Sequence, residues 1–159
     1  MKLEELIGKF AANANLDNAP AADGVWRFSA DGNVFGVTQD DAGENVFLFG
    51  DIKMPDPGRR DALVKSAMEA NYFHRGTGGA TFALNPETGE LTLFESKPLE
   101  GLGEEAFYAF IERFVNALAI WNGIADSSKT QADRLSSEPA MEPSSAAFDP
   151  ISTVGFIQV

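Results

Sequence analysis

The chain carries one histidine, His74, and no cysteine. Thiolate zinc sites, thiol nucleophiles and disulfide scaffolds are thereby excluded. His74 stands just ahead of the glycine-rich stretch Gly76-Thr77-Gly78-Gly79 and reads as a polar loop residue. Two pairs of adjacent carboxylates, Asp40-Asp41 and Glu104-Glu105, are the other candidates for chemistry. The first pair falls in a turn and the second in the first turn of a helix, where the helix dipole favours acids. Neither has the spacing of a metal cage, and the ligand pattern of an EF-hand is missing. Residues 76–79 are no phosphate loop. Such loops leave a strand, enter a helix and are followed by a lysine, whereas here a helix precedes, a strand follows and no lysine comes after. The glycines instead supply left-handed backbone angles for a helix stop. No serine sits in a nucleophile elbow. These residues form no catalytic constellation and no metal site, and they imply no cofactor, so the expectation is a protein that is not an enzyme.

The elements around these residues centre on Ala62 to Phe94. Helical spacing over 62–72 gives way at the glycines to alternation over 80–84 and 90–94, joined by Asn85-Pro86-Glu87-Thr88-Gly89. A helix followed by a hairpin is predicted. A two-stranded hairpin is marginal alone, so further strands and a covering helix must come from elsewhere. Leu3, Leu6, Ile7 and Phe10 recur at helical spacing in a first helix over 3–14. Three strands follow at 25–29, 34–38 and 45–50, the first two closed by Asp31-Gly32-Asn33. Both faces of the third, Asn45-Val46-Phe47-Leu48-Phe49-Gly50, are apolar, which fits a central strand covered twice or one whose second face meets a partner. The middle helix sets Leu63, Val64, Ala67, Met68 and Asn71 on one face beside the small Ala62, Ser66 and Ala70. That face fits self-association about a two-fold axis or packing on the sheet. The longest helix, from about Gly103 to Ile124, carries a wide apolar face that includes Phe107, Phe110, Ile111, Phe114, Val115, Leu118 and Trp121. The fold class is α+β, an antiparallel twisted sheet of about five strands with three helices in the order α-β-β-β-α-β-β-α.

Composition narrows the partners. The 159 residues are 44% hydrophobic, with thirteen phenylalanines, enough for one ordinary domain. No apolar run is long enough to span a membrane, and the start, with Glu4 and Glu5 in its apolar stretch, is no signal peptide. A net charge of −12 disfavours phosphate backbones and anionic lipid surfaces. The expectation is a cytoplasmic protein that binds neither nucleic acid nor membrane. Residues 1–125 form the domain, and 126–159 read as a polar, Ser/Pro/Glu-rich flexible linker ending in an apolar segment. In that segment Phe148, Ile151, Val154, Phe156, Ile157 and Val159 cluster.

The order and spacing of Val46-Phe47-Leu48-Phe49-Gly50-Asp51-Ile52, Ala67-Met68-Glu69-Ala70-Asn71 and Gly78 to Leu91, with Phe107 to Trp121 closing the long helix, resemble the class I chaperones of type III secretion, the Tir chaperone (CesT) family. The resemblance covers residues 1–125. It implies a homodimer without enzymatic activity that binds the disordered N-terminal part of a secreted effector and keeps it export-competent. It also implies dimer contacts at Leu63, Ala67, Met68, Ala70 and Phe82, and an effector groove at Leu3, Leu6, Phe10, Phe35, Phe47 and Phe49. Strand addition supplies the physical logic: backbone hydrogen bonds give affinity and alternate side-chain pockets give selectivity. The extension after Asp126 departs from the family's compact domain, and Phe148 to Val159 are expected to dock as a strand or plug in the effector groove of this or a neighbouring subunit. Two rival readings remain: an apolar-ligand carrier with a cavity lined by Trp26, Phe28, Phe47, Phe110 and Trp121, and a regulator of the same fold that binds a folded protein.

Overall fold

The computed structural model describes residues 2–16, 20–54 and 56–126, together with the backbone of 156–158. Helix α1 (Leu3–Ala14) leads into strands β1 (Trp26–Ala30), β2 (Asn33–Gln39) and β3 (Asn45–Asp51). Helix α2 (Arg60–Asn71), the hairpin β4 (Thr81–Leu84) and β5 (Leu91–Pro98), and helix α3 (Glu104–Ala125) follow. A last strand, β6 (Phe156–Gln158), completes a six-stranded antiparallel sheet of order β4-β5-β3-β2-β1-β6. The five strands and three helices expected from the residues are all present.

Turn chemistry sets the registers. Asp31 and Gly32 both take left-handed angles (φ 48° and 81°), as a two-residue hairpin between right-twisted strands requires. Trp26 thereby falls opposite Val37 and Phe28 opposite Phe35. Asp40 closes the next turn, its carboxylate accepting from the Glu44 N–H at 2.7 Å and from the Asn45 side-chain amide at 2.7 Å. Asp40 is therefore held below the usual carboxylate range, chiefly by Asn45. The glycines of 76–79 do not stop α2. The chain leaves the helix through Phe73 and His74, both at positive φ (51° and 53°), and the His74 Nδ1–H donates to the Ala80 carbonyl at 2.8 Å. Gly78 and Gly79 take left-handed angles further along, where the chain turns into β4.

Among the described residues, the helix-to-sheet side-chain contacts fall on strand positions of one parity. Phe10 meets Phe28 edge-to-face at 5.4 Å, and Trp121 meets Phe82 at 4.7 Å. Lys97 Nζ sits 4.8 Å over the Phe110 ring, Arg113 pairs with Glu95, and Leu118 lies against Gly50. The core is therefore one layer between the sheet and its helices, filled by Phe28, Phe35, Phe107, Phe110, Phe114, Leu48 and Leu93. β3 is central, as its composition indicated, yet among the described residues no helix covers its Phe47 and Phe49 side.

Candidate functional site

Among the described residues, two apolar surfaces are incompletely covered. The first is the open face of the sheet. Phe49 lies opposite Gly36 on β2 and Phe94 on β5, and Phe47 lies opposite Thr38 and Ser96. Gly36 is needed here, because a Cβ on it would clash with Cζ, Cε1 and Cε2 of Phe49, so the tip of the ring lies over β2. Phe47, Phe49 and Phe94 are half-buried. At the β4–β5 end, Phe49, Leu84, Pro86 and Phe94 border an open depression of about 410 Å³. That volume is the scale of one or two large side chains or a small ligand.

The second surface is the α2–β4 end of the molecule. Met68, Tyr72, Phe73 and Leu84 are 45%, 64%, 73% and 44% exposed. Met68 and Tyr72, four residues apart, share a helix face. Phe73 is presented by its left-handed backbone, a conformation rare for bulky residues. Tyr72 and Phe73 stack edge-to-face at 4.6 Å, with the Arg75 guanidinium 5.7 Å from both rings. The loop carrying them is tied to the core by the Trp121 indole N–H, which donates to the Gly76 carbonyl at 3.0 Å.

The residues expected to form one effector groove do not come together. Leu3, Leu6, Phe10 and Phe35 are buried in the core at 1%, 0%, 6% and 1% exposure, whereas Phe47 and Phe49 lie on the opposite side of the sheet. Helical periodicity in α1 marks an inward stripe, and α3 rather than a partner covers it together with the sheet. The expected dimer contacts divide likewise: Leu63, Ala67 and Phe82 are buried, Ala70 is half-buried, and Met68 is exposed. The exposure of Tyr72, Phe73 and Leu84 was not legible in the sequence, because exposure is not encoded in apolarity. Of the expected docking tail, Phe148, Ile151 and Val154 lie outside the described residues, and Phe156 and Ile157 fall in β6 against β1. The residues of a ligand cavity do not enclose one: Trp26, Phe28, Phe110 and Trp121 are packed in the core and Phe47 faces away from them.

One member of each acidic pair has a structural role. Asp40 caps its turn as described. Glu104 opens α3 and holds Lys9 of α1 at 3.0 Å, and the Tyr108 hydroxyl donates to it at 3.0 Å. Lys9 first and Tyr108 second keep its carboxyl below the ordinary range. Among the described residues no group of three metal-binding side chains occurs, and no helix is long and apolar enough to cross a membrane.

This two-layer α+β architecture, a sheet with helices packed on one face, is shared with known proteins. The family model of the Tir chaperone protein (CesT) family matches residues 5–122, so the chain belongs to that family. No curated protein sequence matches it. Among solved structures it resembles a chain of the HopA1–SchA chaperone–effector complex with a TM-score of 0.59 at 16% identity, covering 76% of this chain and 92% of that one. A chain of the ExsC–ExsE complex gives a TM-score of 0.59 at 16% identity, covering 81% and 100%. A chain of the ExoT–SpcS complex from Pseudomonas aeruginosa gives 0.54 at 17% identity, covering 72% and 91%. At such identities the likeness is one of fold.

Proposed function

We propose that this protein is a non-enzymatic homodimeric chaperone that binds the disordered N-terminal segment of a type III secreted effector and keeps it export-competent. The observation that carries this reading is the pair of uncovered apolar surfaces in a chain of the Tir chaperone family. A chaperone–effector complex among its structural neighbours supports it. The α2–β4 end, with Met68, Tyr72, Phe73 and Leu84, is the dimer surface, and the buried Leu63, Ala67 and Phe82 hold it in shape from beneath. The open face with Phe47, Phe49 and Phe94 takes apolar anchors of the effector. A net charge of −12 favours a client with basic residues between those anchors.

Sedimentation equilibrium of the purified chain is expected to give a dimer, and Met68→Glu with Leu84→Glu a folded monomer. A wild-type chain that stays monomeric at tens of micromolar ends the dimer reading. Co-expression with N-terminal segments of secreted proteins from the same source should yield a soluble complex. In its NMR spectrum the bound segment should lose mobility only where it touches the chaperone. Failure of every such segment to co-purify ends the chaperone reading.

A further inference from the structure

The two edges of the sheet are finished in different ways. At one edge, Asn71 at the end of α2 reaches over β4. The Phe82 N–H donates to its Oδ1 at 2.8 Å, and its Nδ2 donates to the Phe82 carbonyl at 3.1 Å. The N–H and C=O of one residue point to the same side of a strand, so these are two of the groups an incoming strand would need. This edge is closed by a side chain. At the other edge, the backbone of β6 pairs with β1. Among the described residues, β6 pairs with it at three positions, Phe156 opposite Ala30, Ile157 opposite Ser29 and Gln158 opposite Phe28, and no pairing falls on Trp26 or Arg27. Residues 126–155 separate this strand from α3 in the sequence.

We propose that the β1 edge is a strand-accepting site held by the chain's own C-terminus, and that an extended segment of a client polypeptide exchanges with β6 there. The identity of the client rests on the chaperone reading above. Three residues form few ladder bonds, each of modest net worth, against the entropy of ordering them. Such a strand is close to balance and exchanges readily. Being tethered, it meets the edge at an effective concentration on the order of millimolar. It therefore keeps stray strands off an edge that would otherwise template aggregation. A client yields a longer pairing along β1 and adds side-chain anchors, so it displaces β6. While the resident strand is docked, the client's apparent affinity falls in proportion to the time the edge is free. Docking for about nine-tenths of the time lowers it about tenfold.

The test uses a fluorescently labelled peptide of residues 150–159 as the incoming strand and the full chain as its receptor. N–H groups point alternately toward and away from a neighbouring strand, so Phe156→Pro with Ile157→Pro removes at least one ladder donor. The peptide is expected to bind this double variant about tenfold tighter than wild type, and a peptide bearing the same two prolines to bind neither. Equal affinities, or no binding to a variant whose α3 amides remain protected, would overturn the proposal. Affinity for wild type that rises on dilution would mean that the resident strand comes from a second copy, and would overturn it too. In the wild-type chain itself, the amides of 156–158 should exchange with solvent at least about 100-fold faster than those of β3. Protection equal to that of β3 is a second contrary result that needs no variant. None of these outcomes depends on an effector, so the edge assignment and the chaperone reading fail separately.

Discussion

Replacing Asn71 with leucine removes both hydrogen bonds that close the β4 edge, the 2.8 Å bond from the Phe82 N–H and the 3.1 Å bond to its carbonyl. Each neutral bond is worth about 0.5–1.5 kcal/mol net. Because β4 lies at the sheet edge, water can reach the freed groups, which places the expected loss at about 1–2 kcal/mol rather than at the full cost of two buried orphans. For a domain of this size that is a fall in Tm of about 2–4 °C per kcal/mol. Urea unfolding at one fixed protein concentration measures it, so that any dimer contribution is held constant. Hydrogen exchange at the Phe82 amide reads the bond directly and should accelerate more than the global stability change alone requires. Asn71→Asp refines the test. Its carboxylate still accepts from the Phe82 N–H but faces the Phe82 carbonyl without a proton to donate. The deficit of that variant should shrink as pH falls below the ordinary carboxylate range and the side chain regains a donor. An Asn71→Leu chain with an unchanged unfolding midpoint and unchanged Phe82 exchange would refute the claim that this amide closes the edge.

Other outcomes follow from the same geometry. Gly50→Ala places a Cβ 2.7 Å from Cδ2 of Leu118 and 3.1 Å from the Val34 carbonyl, and should cost about 1–3 kcal/mol in urea unfolding. Phe114→Ala, emptying a fully buried site on α3, should cost about 3–5 kcal/mol by the same measurement. The Arg27 guanidinium holds the exposed Asp23 carboxyl down from 3.8 to about 2. The folded value lies below the unfolded one, so this contribution is complete above about pH 4 and lost as pH falls through about 2. Asp23→Asn should therefore flatten the acid limb of the stability profile slightly and leave stability near pH 7 to pH 8 without a new slope.

Much of the architecture was legible in the residues. The stripe Leu3, Leu6, Ile7, Phe10 and the wide face of α3 gave two helices at nearly their observed bounds, since apolar periodicity reports directly which side turns from water. Asp31-Gly32 gave the first hairpin because few other pairs tolerate two left-handed residues. The candidate site was less legible. Phe35 and Phe47 are the same residue type on neighbouring strands, yet one is core and the other lies on the open face. Only the choice of which side of the sheet the helices occupy separates them. The exit from α2 was not legible, since left-handed angles at Phe73 and His74 go against local preference and are held by bonds from His74 to Ala80 and from Trp121 to Gly76.

The sequence by itself determined the α+β class, the element order and the absence of thiol chemistry, because periodicity, turn residues and composition act over a few neighbours. Tertiary structure alone decided that Asn71 closes one sheet edge, that residues 156–158 pair along the other, and that Met68, Tyr72, Phe73 and Leu84 stand exposed at one end of the molecule. Each of these joins residues distant along the chain, or depends on which of several apolar faces the helices cover, and local preference encodes neither.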